Sequence, residues 1–376
     1  MGAATAIARV EAHERIVPLP APLRIGPMTI RDRRYTVVTV HDADGAHGHA
    51  FGQTRGAPVA EIVERLLAPA LLGRDAAEVE QRWDEMQRAT LAVGRGGLVL
   101  RALSLVDIAL WDLRGRRAGL PVHALLADAA ALEEIPVTYV AGYPAAASEL
   151  DHVVADAVAA VGRGHRTIKV ARTPDPALTA TLLRRLDAEL PAGVAVAIDA
   201  NWVWRSAEEA LAELDAWPAA RIAWLEDPFA PEQVEQLRAL RLLAGVPLAA
   251  GDELADPVHA RRLLSERAVD VLRLDVATIG GFTGIRPLVA AAADTGVPVS
   301  LHISPETSIH VATALPGCRD VETFDRAGNR FDPSHELVRG GPLFADGSAR
   351  PSDASGLGFE LVCAASEPDP RPRPGA

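Results

Sequence analysis

Between Thr167 and Ser304, six short apolar runs each end in one polar residue and give way to a helix-like stretch. The polar ends are Lys169, Asp199, Glu226, Asp252, Asp275 and His302, spaced 30, 27, 26, 23 and 27 residues apart. A strand–helix unit takes about 30 residues, so the same position recurs in each unit, the C-terminal end of a strand. In a (β/α) barrel those ends converge on one mouth, where chemistry is done. The converging set is one ammonium, four carboxylates and one imidazole. Crowded carboxylates repel one another and call for a cation.

Asp199, Glu226 and Asp252 end three consecutive strands. Three oxygen ligands suit Mg²⁺, which keeps open positions for water or substrate oxygens. Zn²⁺ would favour His or Cys, which the trio lacks. Asp275 and His302 end the next two strands. A carboxylate that accepts from one imidazole nitrogen fixes the tautomer, raises the pKa and leaves the other nitrogen for a substrate. His302 is therefore read as a base and Asp275 as its partner.

Of 38 Lys plus Arg residues, Lys169 is the single lysine. Arginine is a planar fork that stays charged, whereas lysine is a compact point charge whose pKa moves readily. A lone lysine at a strand end is thus a candidate for chemistry rather than for surface charge. Side chains alternate along a strand. Lys169 inward puts Thr167 and Ala171 inward too; Asn201 shares the side of Asp199, and Arg273 that of Asp275. Arg273 could then neutralise a carboxylate inside the barrel, while Glu253 points away from Asp252 into the surrounding shell.

The elements that position these groups are legible in part. Residues 5–53 read as an antiparallel meander: a strand Ile7–Val17, a proline-rich loop Pro18–Met28, and strands Arg34–His41 and His47–Gln53 around the turn Asp42-Ala43-Asp44-Gly45. Helical patterns follow at Val59–Leu72, Ala77–Leu91 and Ala102–Ala118, the last closed by Gly119. The first barrel strand is Pro136–Ala141. Asp175-Pro176 and Asp256-Pro257 place a cap before a first-turn proline, and Ser206 with Glu209 forms a capping box. Gly280-Gly281 after Asp275 marks a tight turn or a close backbone approach. The division expected is an α+β capping domain at 1–130 and a barrel at 131–336. A C-terminal segment, 337–366, returns to the cap through a strand at Gly358–Cys363. A disordered tail with four prolines occupies 367–376.

The net charge of −12 disfavours a nucleic-acid partner. No apolar run reaches the 18 or so residues of a membrane span. Met1–Val10 lacks a basic start and a long apolar centre, so no signal peptide is read. Two cysteines, Cys318 and Cys363, make no disulfide framework, which fits a reducing cytoplasm.

Several segments together resemble the mandelate racemase / muconate lactonizing enzyme branch of the enolase superfamily. They are Asp199-Ala200-Asn201, Glu226-Asp227-Pro228, Gly251-Asp252-Glu253, Asp275 followed by Gly280-Gly281, His302, Glu322, the helix Ala102–Leu113 and the turn Gly356-Leu357-Gly358. The resemblance covers nearly the whole chain. It implies an α/β fold, a modified (β/α)7β TIM-like barrel under an N-terminal α+β cap. It also implies Mg²⁺ on Asp199, Glu226 and Asp252, and removal of the proton α to a substrate carboxylate. By the same resemblance His302 is the base, Asp275 orients it, Lys169 assists at the substrate carboxylate and Glu322, if protonated, donates to a carboxylate oxygen. Homo-oligomers are common in that family.

The chain departs from the family at Lys169-Val170-Ala171, where Lys-x-Lys is usual. Ala171 replaces the base of the opposite face. One-base dehydration of an acid sugar to a 2-keto-3-deoxy acid is therefore expected. Epimerisation, with Tyr139 or Tyr143 as the second base, lactone cycloisomerisation, and binding without turnover are the alternatives. Specificity is expected in the loops Pro18–Met28 and Phe51–Ala57, through Arg24 and Arg55.

Overall fold

The computed structural model describes residues 5–25, 28–218, 221–326 and 331–362. Three antiparallel strands come first, β1 (Ile7–Ile25), β2 (Met28–Asp42) and β3 (His47–Gln53), paired in that order. Here the structure corrects the expected loop at Pro18–Met28. β1 continues through the prolines, with a register shift between Pro18 and Leu23. Pro18, Pro20 and Pro22 are exposed on an edge strand, where a missing N–H breaks no ladder. Leu19 and Leu23 are buried among Val140, Ile303, Phe324 and Phe331, so the hairpin leans over the barrel mouth.

Helices follow at Val79–Ala89 and Gly97–Ala118, the latter capped by Gly119 at φ 67°. Eight parallel strands then form the barrel. They are β4 (Ile135–Gly142), β5 (Thr167–Ala171), β6 (Ala195–Asp199), β7 (Ile222–Glu226), β8 (Leu248–Ala250), β9 (Val271–Leu274), β10 (Val299–Leu301) and β11 (Cys318–Phe324). Pairing of β11 with β4 closes it. The expected helix caps are present: Asp175 accepts from Ala177 N, Asp256 from Val258 N, and Ser206 from Glu209 N.

Past the barrel, β12 (Val338–Gly340) pairs with β15 (Phe359–Leu361), and the hairpin of β13 (Leu343–Ala345) and β14 (Ser348–Arg350) extends from β4. The strand read at Gly358–Cys363 thus pairs with β12 rather than with the first sheet. Its neighbourhood still reaches the first sheet's helix: Leu357 N donates to Asp112 Oδ1 at 2.7 Å and Arg116 donates to the Phe359 carbonyl at 2.8 Å. Cys363 and the proline tail lie outside the described residues.

Two glycine sites set how the helix Gly97–Ala118 meets the barrel. At Gly281, φ is 70° and a Cβ would stand 2.3 Å from Asp107 Oδ2. Asp107 accepts from Thr283 N at 3.0 Å, and Ser104 accepts from Gly280 N at 2.8 Å. The close approach expected at Gly280-Gly281 is therefore to the capping helix. Among the described residues no helix is long and apolar enough to cross a membrane.

Candidate active site

Strand register sets the height of each group. Ala171, Asp199, Glu226 and Ala249 are neighbours across β5 to β8. Leu274 pairs with Leu301, so Asp275 and His302 leave adjacent strands side by side. The structure brings Lys169, Asp199, Glu226, Asp252, Asp275, His302 and Glu322 together as buried polar groups at one end of the barrel.

The Lys169 ammonium lies 2.5 Å from Glu226 Oε1, 3.1 Å from Glu322 Oε2 and 3.3 Å from Asp199 Oδ2. Burial alone would strip its proton, but Glu226, Glu322 and Asp199 outweigh burial and hold its pKa well above the usual value. Arg273 points inward, as parity requires. It sits 3.2 Å from Glu226 Oε1, bonds Glu322 Oε2, and donates to Ser300 Oγ, which bonds Asp320. Burial pushes the Glu226 carboxyl up, yet Arg273 and Lys169 more than offset this and hold it at about 2.

The same two cations also act on Glu322. Burial favours a protonated Glu322, but Lys169, Arg273 and His302 hold its pKa below the usual carboxylate value. The Glu322 Oε1 is buried without a hydrogen-bond partner.

His302 stands between two acids, with Nδ1 3.4 Å from Asp275 Oδ2 and Nε2 3.5 Å from Asp252 Oδ2. Burial lowers its pKa, but the Asp252 charge, the Asp275 hydrogen bond and Glu322 together raise it to about 9. Asp199 is pushed up to about 6 by burial, with Glu226 and Asp252 adding to this and Lys169 opposing it. Asp227 is raised further, by burial and by Asp252. Backbone strain concentrates at the same place: Asn201, Trp202, Asp227, Ile303 and Ser304 all have positive φ just past the ends of β6, β7 and β10.

A cavity opens between this mouth and the first sheet. Its wall includes Asp199, Asn201, Asp227, Asp252 and His302 from the barrel, and Arg33, Gln53 and Arg55 from the sheet side. Asn201 N donates to Asp199 Oδ1 at 2.9 Å and so braces that carboxylate. Glu253 takes an ion pair from Arg55, and another from Arg101 at 2.5 Å, so it ties the cap to the barrel.

Two expected residues are elsewhere. The Tyr139 hydroxyl donates to Asp156 at 3.0 Å and its ring lies against His165, on the helix side of β4. Parity explains this: Val140, not Tyr139, is the register neighbour of Lys169. Arg24 is exposed on the β1 hairpin and is not part of the cavity wall, because the segment is strand rather than a loop folded inward. Sequence reading missed Arg33 and Asp227. Arg33 shares its strand face with Tyr35 and Val37, all buried, and that parity was the available signal.

The barrel trio fits a divalent cation by its chemistry. All donors are oxygen, the carboxylates crowd one another, and Asp252 Oδ1 is buried without a hydrogen-bond partner. Elsewhere, His47, His49 and Glu360 bring ligand atoms within 4.8 Å of one another. Arg116 already donates to Glu360 at 2.5 Å and meets His49 Nε2 at 3.0 Å, so a guanidinium fills that role there.

Residues 7–127 match the N-terminal domain of mandelate racemase / muconate lactonizing enzyme, and residues 152–365 match the enolase C-terminal domain-like family. This chain belongs to the mandelate racemase / muconate lactonizing enzyme branch of the enolase superfamily. It is an enzyme of that branch, with lyases and isomerases as relatives. A putative L-rhamnonate dehydratase of Caldivirga maquilingensis is 32% identical over 343 residues, covering 86% of this chain and 80% of its own. Muconate cycloisomerase 1 of Rhodococcus opacus is 29% identical, covering 94% and 96%. Among solved structures, L-talarate dehydratase of Polaromonas sp. JS666, complexed with Mg and L-glucarate, superposes with a TM-score of 0.86 at 26% identity, covering 95% of each chain. The superfamily barrel accounts for the strand-end positions of the seven buried groups.

Proposed function

We propose that this enzyme removes the proton α to the carboxylate of an acid sugar and expels the β-hydroxyl, giving a 2-keto-3-deoxy acid. The observation that carries the reading is the one-sided set of bases: His302 is paired with Asp275, while Ala171 stands where the opposite face would need a base. Of the two tyrosines considered for that face, Tyr139 is committed to Asp156. Burial raises the Tyr143 pKa further above its usual value, which leaves it a neutral phenol rather than a base.

Asp199, Glu226 and Asp252 would hold Mg²⁺, as the Mg-containing relatives suggest. When bound, the dication would supply positive charge for the enediolate and would compensate the Asp252 charge that now holds the His302 proton. The chain's own groups do the rest. Asp275 fixes the imidazole so that Nε2 faces the α-carbon and takes its proton. Lys169, charged and buried, stabilises the negative charge as it grows on the carboxylate, where the gain is confined to the transition state. The His302 proton is then passed to the β-hydroxyl, which leaves as water, and the enol product tautomerises to the keto acid.

The test is incubation with Mg²⁺ and a set of aldonic and aldaric acids in D₂O, following keto-acid formation and α-deuterium uptake by NMR. Keto acid is the expected result. Stereoinversion with deuterium uptake and no keto acid would overturn dehydration in favour of epimerisation. A lactone rearranged without loss of water would place this enzyme with the cycloisomerases.

A further inference from the structure

The cavity between cap and barrel contains a guanidinium that the chemistry above does not use. Arg33 on β2 is 5% exposed, and it forms part of the cavity wall. Its Nε donates to the Phe331 carbonyl at 2.7 Å. Among the described residues no carboxylate lies within 4 Å of its nitrogens, in contrast to Arg55 and Arg101, which share Glu253. The nearest acid along the chain from Phe331 is Asp332, on the same cavity wall, and its oxygens accept from the Tyr35 hydroxyl, Ser334 N and Ser334 Oγ. A buried charge without an anionic partner is costly, and an anionic ligand would repair that cost. The fork also matches a carboxylate in shape, since two parallel N–H groups meet two oxygens.

The position matters as much as the charge. Arg33 comes from the cap side, whereas Lys169, Asp252 and His302 come from the barrel. Arg33, Tyr143, Asp252 and His302 line the same cavity, so one small molecule can face groups from both sides. Gln53, on the same wall, suits the hydroxyls of a polyol chain.

We propose that Arg33 binds a second carboxylate at the far end of the substrate, so that the enzyme acts on aldaric acids, the sugar diacids, in preference to aldonic acids. The assignment rests on the acid-sugar dehydratase reading and narrows its substrate class. One carboxylate is held at the barrel end, where its α-proton is lost. The other sits against Arg33 and fixes which end of the chain reacts.

The test compares kcat/KM of the Mg²⁺-loaded enzyme for six-carbon aldarates with that for aldonates differing only at C6. It does so in the wild type, Arg33→Gln and Arg33→Lys, with thermal melting to confirm folding. A charge pair buried in a binding site supports discrimination of roughly 100-fold. Wild type should favour aldarates by about that factor. Arg33→Gln should lose it through KM, and Arg33→Lys, with charge but no fork, should recover part. Equal use of both classes by wild type, or a diacid preference that survives Arg33→Gln, overturns this assignment and leaves the dehydratase reading intact. Failure to exchange the α-proton of any acid sugar overturns both.

Discussion

Lys169 is the residue at which this site is most exposed to a single change. Its ammonium is shared by Glu226, Glu322 and Asp199 within 3.3 Å, in a space that excludes water. A guanidinium is wider and planar and cannot sit at the same point. Lys169→Arg should therefore lower kcat by about 100- to 1000-fold, the usual loss when one donor to a developing anion is misplaced. Circular dichroism should show retained secondary structure. Near-full activity in the arginine variant would remove Lys169 from the mechanism. The lysine could be picked out of the sequence because it is the only one. The lowered pKa of Glu322 could not, since it depends on Lys169 and Arg273 meeting it inside the barrel, and burial alone points the other way.

Among the elements, the helix Gly97–Ala118 is the member that joins cap to barrel. The Asp107 contact leaves no room for a side chain at Gly281, where φ is 70°. Gly281→Ala should cost about 1–3 kcal/mol in unfolding free energy, measured by urea denaturation, and an unchanged midpoint would show that the contact can yield. Sequence gave the glycine pair and the helix, but not that they touch, because the contact spans 176 residues. The hairpin β1–β2 was misread for a related reason: proline content argues for a loop, while edge position, which makes prolines harmless, is a property of the sheet.

The helix Pro305–Ala314 packs against the short helix Val122–Leu126, which follows Gly97–Ala118. His310 is wholly buried, Nδ1 accepts from His123 N at 3.2 Å, and Nε2 faces the Leu357 carbonyl at 3.2 Å. A proton on Nδ1 would cost the first bond. Burial, with His123 adding to it, lowers the pKa to about 3. A depressed histidine pKa means that the unfolded chain binds the extra proton. Its contribution is present above the unfolded value of about 6.5 and is lost as pH falls toward 3, by up to about 1.4 kcal/mol per pH unit. His310→Gln should flatten the acid limb of stability against pH; an equally steep limb would assign it to other groups.

At the scale of the whole molecule, the barrel mouth and the cap line one cavity, and a cation held by the barrel trio should stabilise the fold. Mg²⁺ should raise the unfolding midpoint in a saturable way, by the equivalent of about 2.7 kcal/mol at a hundred times Kd. Asp252→Asn should lose most of that shift, and a shift of full size in that variant would place the ion elsewhere. The six-fold recurrence of strand and helix made the barrel and its strand-end groups readable in order, since each polar end falls at the same phase of its unit. Arg33 stayed hidden because its role arises only when the first sheet is laid across the mouth.

The proposed reaction depends on His302 as the one group that takes the α-proton. The direct measurement is α-proton exchange with D₂O by NMR, for the Mg²⁺-loaded wild type and for His302→Asn, with an acid sugar that the wild type accepts. Exchange in the wild type and none in His302→Asn is the predicted result. Exchange that persists in the asparagine variant would mean that another group removes the proton, and would contradict it.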